Sequence, residues 1–523
     1  PTCRSVHHNN TLTCVPLSAT VTTDWPPHSC HRLPTRLFIS KRLTRDSRPK
    51  SRSSPSVAYP RPSGKKWRNH SRVTVINPNN VLKFRDAFYN DAKNVLAQNA
   101  CSRISPTEVS TSRNRVQETH HYYTHKIETE GKPVTNQRSS GRCWIFACLN
   151  VIRVPFIKQF NLEEFEFSQA YVFFWDKIER SNYFLNAIVQ TAKRGETVDD
   201  RTTACLLSKP IEDGGQWDML VNIITKYGLM PKKNFPESFS CETSNTINVI
   251  LNSKLREFAI VLHKLVSDNA TDNEIKTKIE EQMEIIYRIV GICFGIPPAT
   301  FEWQYYDKSK VFNSVGPISP LDFYLRHVRP VFDVVEKVCL ISDPRPNNRY
   351  GKLYTLDMLN NMAGGRKVLY NNQPIEVLIK AAQESIVNKG EPVWYGCQVS
   401  KRFSDKLGLE DLKIHDYQLV FGTDVSIPMT KAQRMLYGES AMTHAMVLTG
   451  VNVDNGNATK WRVENSWGED RGDKGYLMMT TDWFKEYVFE VVVDKSLLSE
   501  EVLSVFQQEP QVLPIWDPMG TLA

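Results

Sequence analysis

The chain has 523 residues with 41% hydrophobic and 10% aromatic content, which is enough apolar material for a sizeable core. Its net charge of +8 is unevenly placed: residues 1–78 carry 14 basic and 2 acidic side chains, whereas residues 79–523 carry 51 and 55. The mildly acidic second part argues against a general basic nucleic-acid-binding face. The absence of an uncharged apolar run of about 18 residues argues against a membrane-spanning helix.

Residues 1–78 form a basic segment that is rich in Ser, Pro, Arg and Thr and has little periodic apolar pattern. This composition predicts a disordered extension. Three interpretations stay open: a disordered extension or sequence artefact, an organelle-targeting leader, or a functional basic tail. We expect a single folded domain over residues 79–523, in which Val81 to Asn99 has the apolar spacing of one helix.

The segment 137–144, QRSSGRCW, carries the most specific pattern in the chain, and an apolar run typical of a buried helix follows it. This places Cys143 at a helix N-terminus, where the positive end of the helix dipole favours the nucleophilic thiolate. Gln137 is expected to hold a side-chain N–H near the thiol, where an oxyanion develops during acyl transfer. Taken alone, a cysteine at this position is more often a core residue.

Gly214 and Gly215 precede a predicted helix that starts near Trp217. Glycines at such a position let a substrate backbone approach the protein backbone closely, and the alternative is a plain turn before the helix. We favour the substrate-binding interpretation. Residues of about 240–388 then form a predicted helical insertion, because apolar residues recur there with helical spacing, and these stripes indicate core rather than a cofactor site.

Two downstream residues complete a constellation with Cys143. His444 stands at the start of a strand-like apolar run, and Asn465 ends a short strand before a glycine-rich turn. A base and a group that orients it are what a nucleophilic thiol requires, and the order Cys, His, Asn is that of papain. We expect His444 to accept the thiol proton, Asn465 to fix its ring, and Trp467 to shield their hydrogen bond. The thiol and imidazole are expected to form an ion pair near neutral pH.

The C-terminal residues of about 509–523 contain three prolines and no helical period, yet they are too apolar for a mobile tail, so we predict an extended arm. The eleven cysteines are scattered, without a C-x-x-C pair or a cluster with histidine. We therefore predict no metal ion and no organic cofactor.

Four motifs together resemble the papain superfamily of cysteine peptidases and, within it, the bleomycin hydrolase family, over roughly residues 80–523. They are NQRSSGRCWIF at 136–146, DGGQWDML at 213–220, VENSWGED at 463–470 and WDPMG at 516–520. The resemblance implies an α+β, papain-like fold of two lobes with a helical insertion. It also implies a cysteine aminopeptidase that cleaves N-terminal residues and amide bonds by thioester acyl transfer and inactivates bleomycin by deamidation.

The same resemblance implies peptide and amino-acid amide substrates, a homohexamer, and an arm in the cleft whose terminal carboxylate on Ala523 faces the substrate amine. Ser140 occupies the position of a disulfide cysteine in secreted relatives, so we predict a reducing, cytoplasmic location. Two alternatives stay open: a papain-fold binding protein with nucleic-acid affinity, which the acidic domain supports only weakly, and an endopeptidase, against which the arm argues.

Overall fold

The computed structural model describes residues 76–522. The first part of this region forms the helical lobe. Apolar residues at helical spacing form its long helices, and α5 is apolar on all sides because it runs through the core. The helices up to residue 294 are α1 (Pro78–Asn90), α2 (Ala92–Cys101), α3 (Pro106–Val109), α4 (Arg113–Glu118), α5 (Cys143–Gln159), α6 (Gln169–Lys193), α7 (Arg201–Ser208), α8 (Trp217–Tyr227), α9 (Phe239–Glu242), α10 (Asn245–Ser267) and α11 (Asp272–Phe294).

Strands dominate the second lobe. They are β1 (His125–Lys126), β2 (Phe301–Tyr306), β3 (Phe312–Ile318), β4 (Lys337–Ile341), β5 (Lys352–Leu356), β6 (Tyr370–Asn372), β7 (Val393–Cys397), β8 (Phe403–Ser404), β9 (Leu409–Glu410), β10 (His444–Asp454), β11 (Asn457–Glu464), β12 (Tyr476–Thr480), β13 (Val488–Asp494) and β14 (Gln511–Leu513). Twelve of them form one sheet in the order β14-β5-β6-β4-β13-β7-β10-β11-β12-β9-β8, with β1 also paired to β10, and β2 and β3 form a separate hairpin. The centre of the sheet, from β13 to β12, is antiparallel.

Short helices connect these strands. They are α12 (Pro320–Phe323), α13 (Ile375–Glu384), α14 (Tyr417–Phe421), α15 (Lys431–Leu436), α16 (Thr481–Tyr487) and α17 (Glu500–Ser504). The described residues form two large hydrophobic cores and one small cluster around Leu409, Ile414 and Met478. One large core contains mainly side chains of α5, α6, α8, α10 and α11, and the other those of β7, β10–β13, α13 and α16. Helix α5 also packs against β10, so the lobes meet at the N-terminus of α5. The α+β, papain-like fold predicted from the sequence is confirmed.

The predicted helical insertion, about 240–388, contains its long helices α10 and α11 only in its first part, and strands alternate with the shorter α12 and α13 in the rest. Residues 301–318 form the β2–β3 hairpin, and β4, β5 and β6 then extend the large sheet beyond β13. The reason is visible in β4, whose five residues are all buried. Short apolar runs of this kind lack helical spacing and pack on both faces of a central strand.

The start of the described chain also differs from the sequence-based prediction. The helix expected from Val81 to Asn99 is divided into α1 and α2, because Asp91 is extended and its carboxylate accepts the backbone N–H of Lys93 as an N-cap. The predicted extension 1–78 lies outside the described residues except for 76–78, where Asn77 caps α1. Within residues 76–522 the helices are too short or too polar to cross a lipid bilayer.

Candidate active site

Cys143 is the first residue of α5, and its side chain points to the place where the two lobes meet. Only 3% of its surface is exposed. The thiol lies against the backbone N–H of Ala445 in β10, and against the N–H groups of Trp144 and of Cys143 itself. Burial raises the pKa of the thiol to about 11, although these N–H groups oppose the shift. The loss of water around the sulfur therefore opposes thiolate formation, whereas the N–H groups at the helix end favour it.

His444 begins β10 and bonds to Asn465, which follows β11. The ring Nε2 lies 2.9 Å from Oδ1 of Asn465. That oxygen also accepts the backbone N–H of Ser466 at 2.8 Å, which identifies it as the acceptor end of the amide. Nε2 therefore carries the proton, and the lone pair of Nδ1 is left to accept the thiol proton. The ring of Trp467 covers His444, with ring centroids 4.8 Å apart.

Burial also changes the basicity of His444, of which only 5% is exposed. Loss of water lowers its pKa to about 4, although the hydrogen bond with Asn465 opposes the shift. Burial of both groups therefore opposes the thiolate–imidazolium ion pair, which stays a prediction from the sequence.

This burial leads to a prediction for the pH dependence of activity. The imidazole must be neutral to accept the thiol proton, and its lowered pKa keeps it neutral well below pH 6. We expect kcat/KM to change less than about twofold between pH 7 and pH 5.5 and to fall with an apparent pKa near 4. Initial rates from pH 4 to 9, with circular dichroism at each pH to monitor folding, measure this. An acidic limb near the ordinary histidine value would contradict it.

Gln137 lies in the loop before α5, and hydrogen bonds fix the orientation of its amide. Its Nε2 donates to the backbone oxygen of Ser140 at 2.6 Å, and its Oε1 accepts the hydroxyl of Ser466 at 2.7 Å. A carbonyl can only accept, so the NH2 end is identified by the first bond. One amide proton remains for an oxyanion, which is the role predicted for this residue from the sequence.

The two glycines predicted to bind substrate have different surroundings. Gly214 is partly exposed, whereas Gly215 is buried against the indole of Trp144. A Cβ at Gly215 would lie 2.6 Å from that ring, so this glycine is required for packing next to the nucleophile. Their contact with substrate stays a prediction, and it is better suited to Gly214.

The C-terminal arm passes close to these glycines. Strand β14 pairs in parallel with β5, and Asp517 forms a two-bond ion pair with Arg345. Beyond it, the backbone oxygen of Thr521 accepts Nε2 of Gln216 at 2.9 Å, directly beside Gly215. Ala523, for which a contact with the substrate amine is predicted, lies outside the described residues.

Sequence reasoning did not single out Asp213, although the motif DGGQWDML begins with it. Its carboxylate accepts the backbone N–H of Gly141 in the loop before Cys143, and it pairs with buried Lys177. An acidic residue directly before two glycines was the available signal. For metal binding, no group of three or more His, Cys, Asp or Glu side chains within residues 76–522 has a suitable arrangement.

Comparison with known proteins identifies the family that this chain matches. The peptidase C1-like family matches residues 75–520, which include Gln137, Cys143, His444 and Asn465. Rat bleomycin hydrolase is 54% identical over 451 residues, covering 86% of this chain and 99% of the relative. The human bleomycin hydrolase is 53% identical with the same coverage.

More distant relatives are bacterial. Aminopeptidase C of Listeria monocytogenes is 42% identical over 455 residues, covering 87% of this chain and 97% of the relative. Among solved structures, PepW of Lactobacillus rhamnosis HN001 superimposes with a TM-score of 0.82 at 38% identity, covering 86% of this chain and 99% of that chain.

Proposed function

The chain belongs to the peptidase C1-like family, and on this basis we propose that it is a cysteine-type aminopeptidase of the bleomycin hydrolase kind. One observation carries the proposal: Asn465 holds His444 with its proton on Nε2, and the Cys143 thiol lies against the neighbouring residue Ala445. This leaves Nδ1 as the base for the thiol. Relatives named bleomycin hydrolase and aminopeptidase C support hydrolysis of peptide and amide bonds.

The reaction proceeds by acyl transfer to the thiol. Nδ1 of His444 accepts the Sγ proton while Sγ attacks the scissile carbonyl carbon, and the developing oxyanion accepts an N–H of Gln137. Collapse of this intermediate breaks the C–N bond, and His444 returns the proton to the departing amine. Water then attacks the thioester with His444 again as base, which releases the carboxylic acid and restores the thiol.

Peptides with a free N-terminus and amino-acid amides are the proposed substrates, and bleomycin is inactivated by hydrolysis of an amide. The arm supports exopeptidase action, because the backbone oxygen of Thr521 accepts Nε2 of Gln216, which directly follows Gly214 and Gly215. An arm held next to the proposed substrate-binding glycines restricts the space for one end of a bound peptide. An endopeptidase and a nucleic-acid-binding protein are not favoured, the latter because residues 79–523 have a net acidic charge.

Matched substrates test this function. We expect hydrolysis of an aminoacyl fluorogenic amide and little hydrolysis of its N-acetylated form, and iodoacetamide should abolish the activity by alkylating Cys143. Equal rates on the two substrates would overturn the aminopeptidase assignment. Activity that survives complete alkylation would overturn the thiol mechanism.

The role of the arm leads to a further prediction. Deleting residues 518–523 retains Asp517 and its pair with Arg345 but removes Thr521. The preference for free over acetylated substrates should fall about 10- to 100-fold, the range for losing one or two charge-assisted or positional contacts. The ratio of the two kcat/KM values measures this.

Thr521→Ala is the matched control, because it retains the backbone oxygen that Gln216 binds. The preference of Thr521→Ala for free over acetylated substrates should equal that of the unmodified enzyme. An unchanged ratio in the truncated enzyme would show that the arm does not determine the preference.

We also propose that the enzyme acts as a homohexamer in the reducing cytoplasm. All eight cysteines of the described region are unpaired, which suits a reducing compartment.

Apolar side chains exposed on α10 and α11 support the proposed assembly, because further copies can bury them; they include Val249, Ile250, Ile260, Val261 and Ile292. Sedimentation equilibrium should give six times the 60.1 kDa chain mass, and a monomer would contradict the assembly.

A further inference from the structure

Asp213 lies where three parts of the fold meet: α6, α10 and the loop of residues 137–142, which we call the oxyanion loop. Its Oδ2 accepts the backbone N–H of Gly141 at 3.0 Å. Its Oδ1 accepts Nζ of Lys177 in α6 and Nδ2 of Asn248 in α10, each at 2.7 Å. The hydroxyl of Ser244, just before α10, also donates to Oδ2. One carboxylate therefore joins the oxyanion loop to both long helices.

The backbone of the same residue holds the nucleophile helix. The backbone oxygen of Asp213 accepts Nε1 of Trp144 at 2.6 Å, and Trp144 follows Cys143 directly. Asp213 thus contacts the chain on both sides of the nucleophile, at Gly141 through its carboxylate and at Trp144 through its carbonyl. Any displacement of Asp213 therefore moves the residues around Cys143.

The carboxylate is held in its charged form. Burial alone would raise its pKa, but the charge and hydrogen bond of Lys177, together with Ser244 and Asn248, bring the pKa well below the ordinary value. The side chain of Lys177 is 0% exposed and that of Asp213 is 10% exposed. Hydrogen bonds to an ionised group are stronger than neutral ones, so the bond to Gly141 is a strong one.

The backbone of Gly141 packs tightly against the side chain of Asp213. A Cβ built on Gly141 would lie 2.8 Å from Cβ of Asp213, so the loop backbone passes directly against this side chain. Within the loop, Gln137 donates to the oxygen of Ser140, the residue before Gly141. The position of the Gln137 amide therefore depends on the position of the Gly141 peptide.

We propose that Asp213 is a positioning residue, whose carboxylate holds the oxyanion loop so that Gln137 and the backbone around Cys143 can stabilise the oxyanion. This inference rests on the proposed function, because it requires a tetrahedral intermediate on Cys143. Small displacements of stabilising groups have large kinetic effects: an error of about 1 Å can cost about 100-fold in rate. Loss of the Asp213 contact should lower kcat more than it changes KM.

The test compares two ligands of the complete enzyme. Leucine aldehyde forms a hemithioacetal with Cys143 and presents an oxygen to the oxyanion site, whereas leucinol binds the cleft without forming that bond. In Asp213→Asn, the affinity ratio of aldehyde to alcohol should fall about 10- to 100-fold. The rate of Cys143 alkylation by iodoacetamide should stay within about threefold, because alkylation does not use the oxyanion site.

Gly141→Ala is the second variant, and it disturbs the same contact without leaving Lys177 unpaired. The added Cβ would lie 2.8 Å from Cβ of Asp213. The two carbons must therefore separate by about 1 Å to reach the usual distance of about 3.5–4.0 Å. Gly141→Ala should lower the affinity ratio of aldehyde to alcohol, as Asp213→Asn does. This variant keeps the test informative if Asp213→Asn does not fold.

Asp494→Asn is the matched control for loss of a buried ion pair. Asp494 is 15% exposed and pairs with buried Lys337 at 2.9 Å, although Lys337 also pairs with Glu391 at 2.6 Å. None of the hydrogen bonds or ion pairs of Asp494 in the described residues involves the oxyanion loop. Its affinity ratio should equal that of the unmodified enzyme. A fall of equal size in Asp494→Asn would show that general destabilisation causes the effect and would overturn the proposal.

The outcomes separate the two levels of inference. If the unmodified enzyme prefers the aldehyde and both variants keep that preference, the positioning role of Asp213 is wrong while the proposed function stands. If the unmodified enzyme shows no preference for the aldehyde, the thiol mechanism fails and the positioning role fails with it.

Discussion

Cys143→Ala should lower kcat by about 10⁶-fold, because it removes the thiol at the N-terminus of α5 that forms the thioester. Removal of the nucleophile from a comparable catalytic triad has an effect of this size, since the remaining groups then act on a step that they are not placed to perform. The fold should be retained, because alanine suits the first turn of α5 and leaves only a small cavity. Steady-state rates on an aminoacyl amide measure the loss.

Cys148→Ala is the matched control for this experiment. Cys148 lies on the same helix and is completely buried and unpaired, and none of the hydrogen bonds within the described residues joins it to His444 or Asn465. It should retain nearly full activity. Residual turnover of Cys143→Ala above roughly one part in 10⁴, in protein free of unmodified enzyme, would contradict the nucleophile assignment.

Gln137→Ala should lower kcat by about 10²- to 10³-fold and change KM by less than about threefold. The amide is already held by Ser140 and Ser466, so its free N–H stabilises the oxyanion without a cost of reorientation at the moment of attack. Because the ground-state carbonyl lies away from the oxyanion position, substrate binding changes little. Steady-state kinetics of the purified variant measure both constants.

Gln282→Ala provides the comparison, since Gln282 is also a buried glutamine but lies on α11 and bonds to the backbone of α10. It should lose stability without a selective loss of kcat. If Gln137→Ala raises KM and leaves kcat unchanged, the residue binds substrate rather than the transition state.

The local patterns were sufficient for the fold class, and they predicted correctly which elements the candidate site residues begin or end. Cys143 precedes an apolar run of helical length, His444 precedes a run of strand character, and Asn465 stands at a strand end before glycines. These patterns depend on residues that are neighbours in the sequence, and so they can be recognised without the structure. The papain-like α+β fold was predictable for the same reason, because four separate motifs occur in the order of that fold.

The β-strands within the predicted insertion were not predictable in the same way. Strand β4 reads as a short apolar run, and only its pairing with β13, more than a hundred residues later, makes it part of the sheet. Pairings between distant residues depend on which edge of the sheet is free, and single-sequence periodicity contains no information on this. The break at Asp91 between α1 and α2 is a local capping effect that the apolar spacing alone does not show.

By itself, the sequence determined which residues can act as nucleophile, base and orienting amide, because chemical type and local context are written along the chain. Only the tertiary structure decided how deeply these groups are buried and which residues support them. Burial between the lobes raises the pKa of Cys143 and lowers that of His444, against the expectation from the helix dipole. The ionised Asp213 brings Gly141, α6 and α10 together across long sequence distances. Both effects depend on what surrounds a group in space, and so they arise only when the chain has folded.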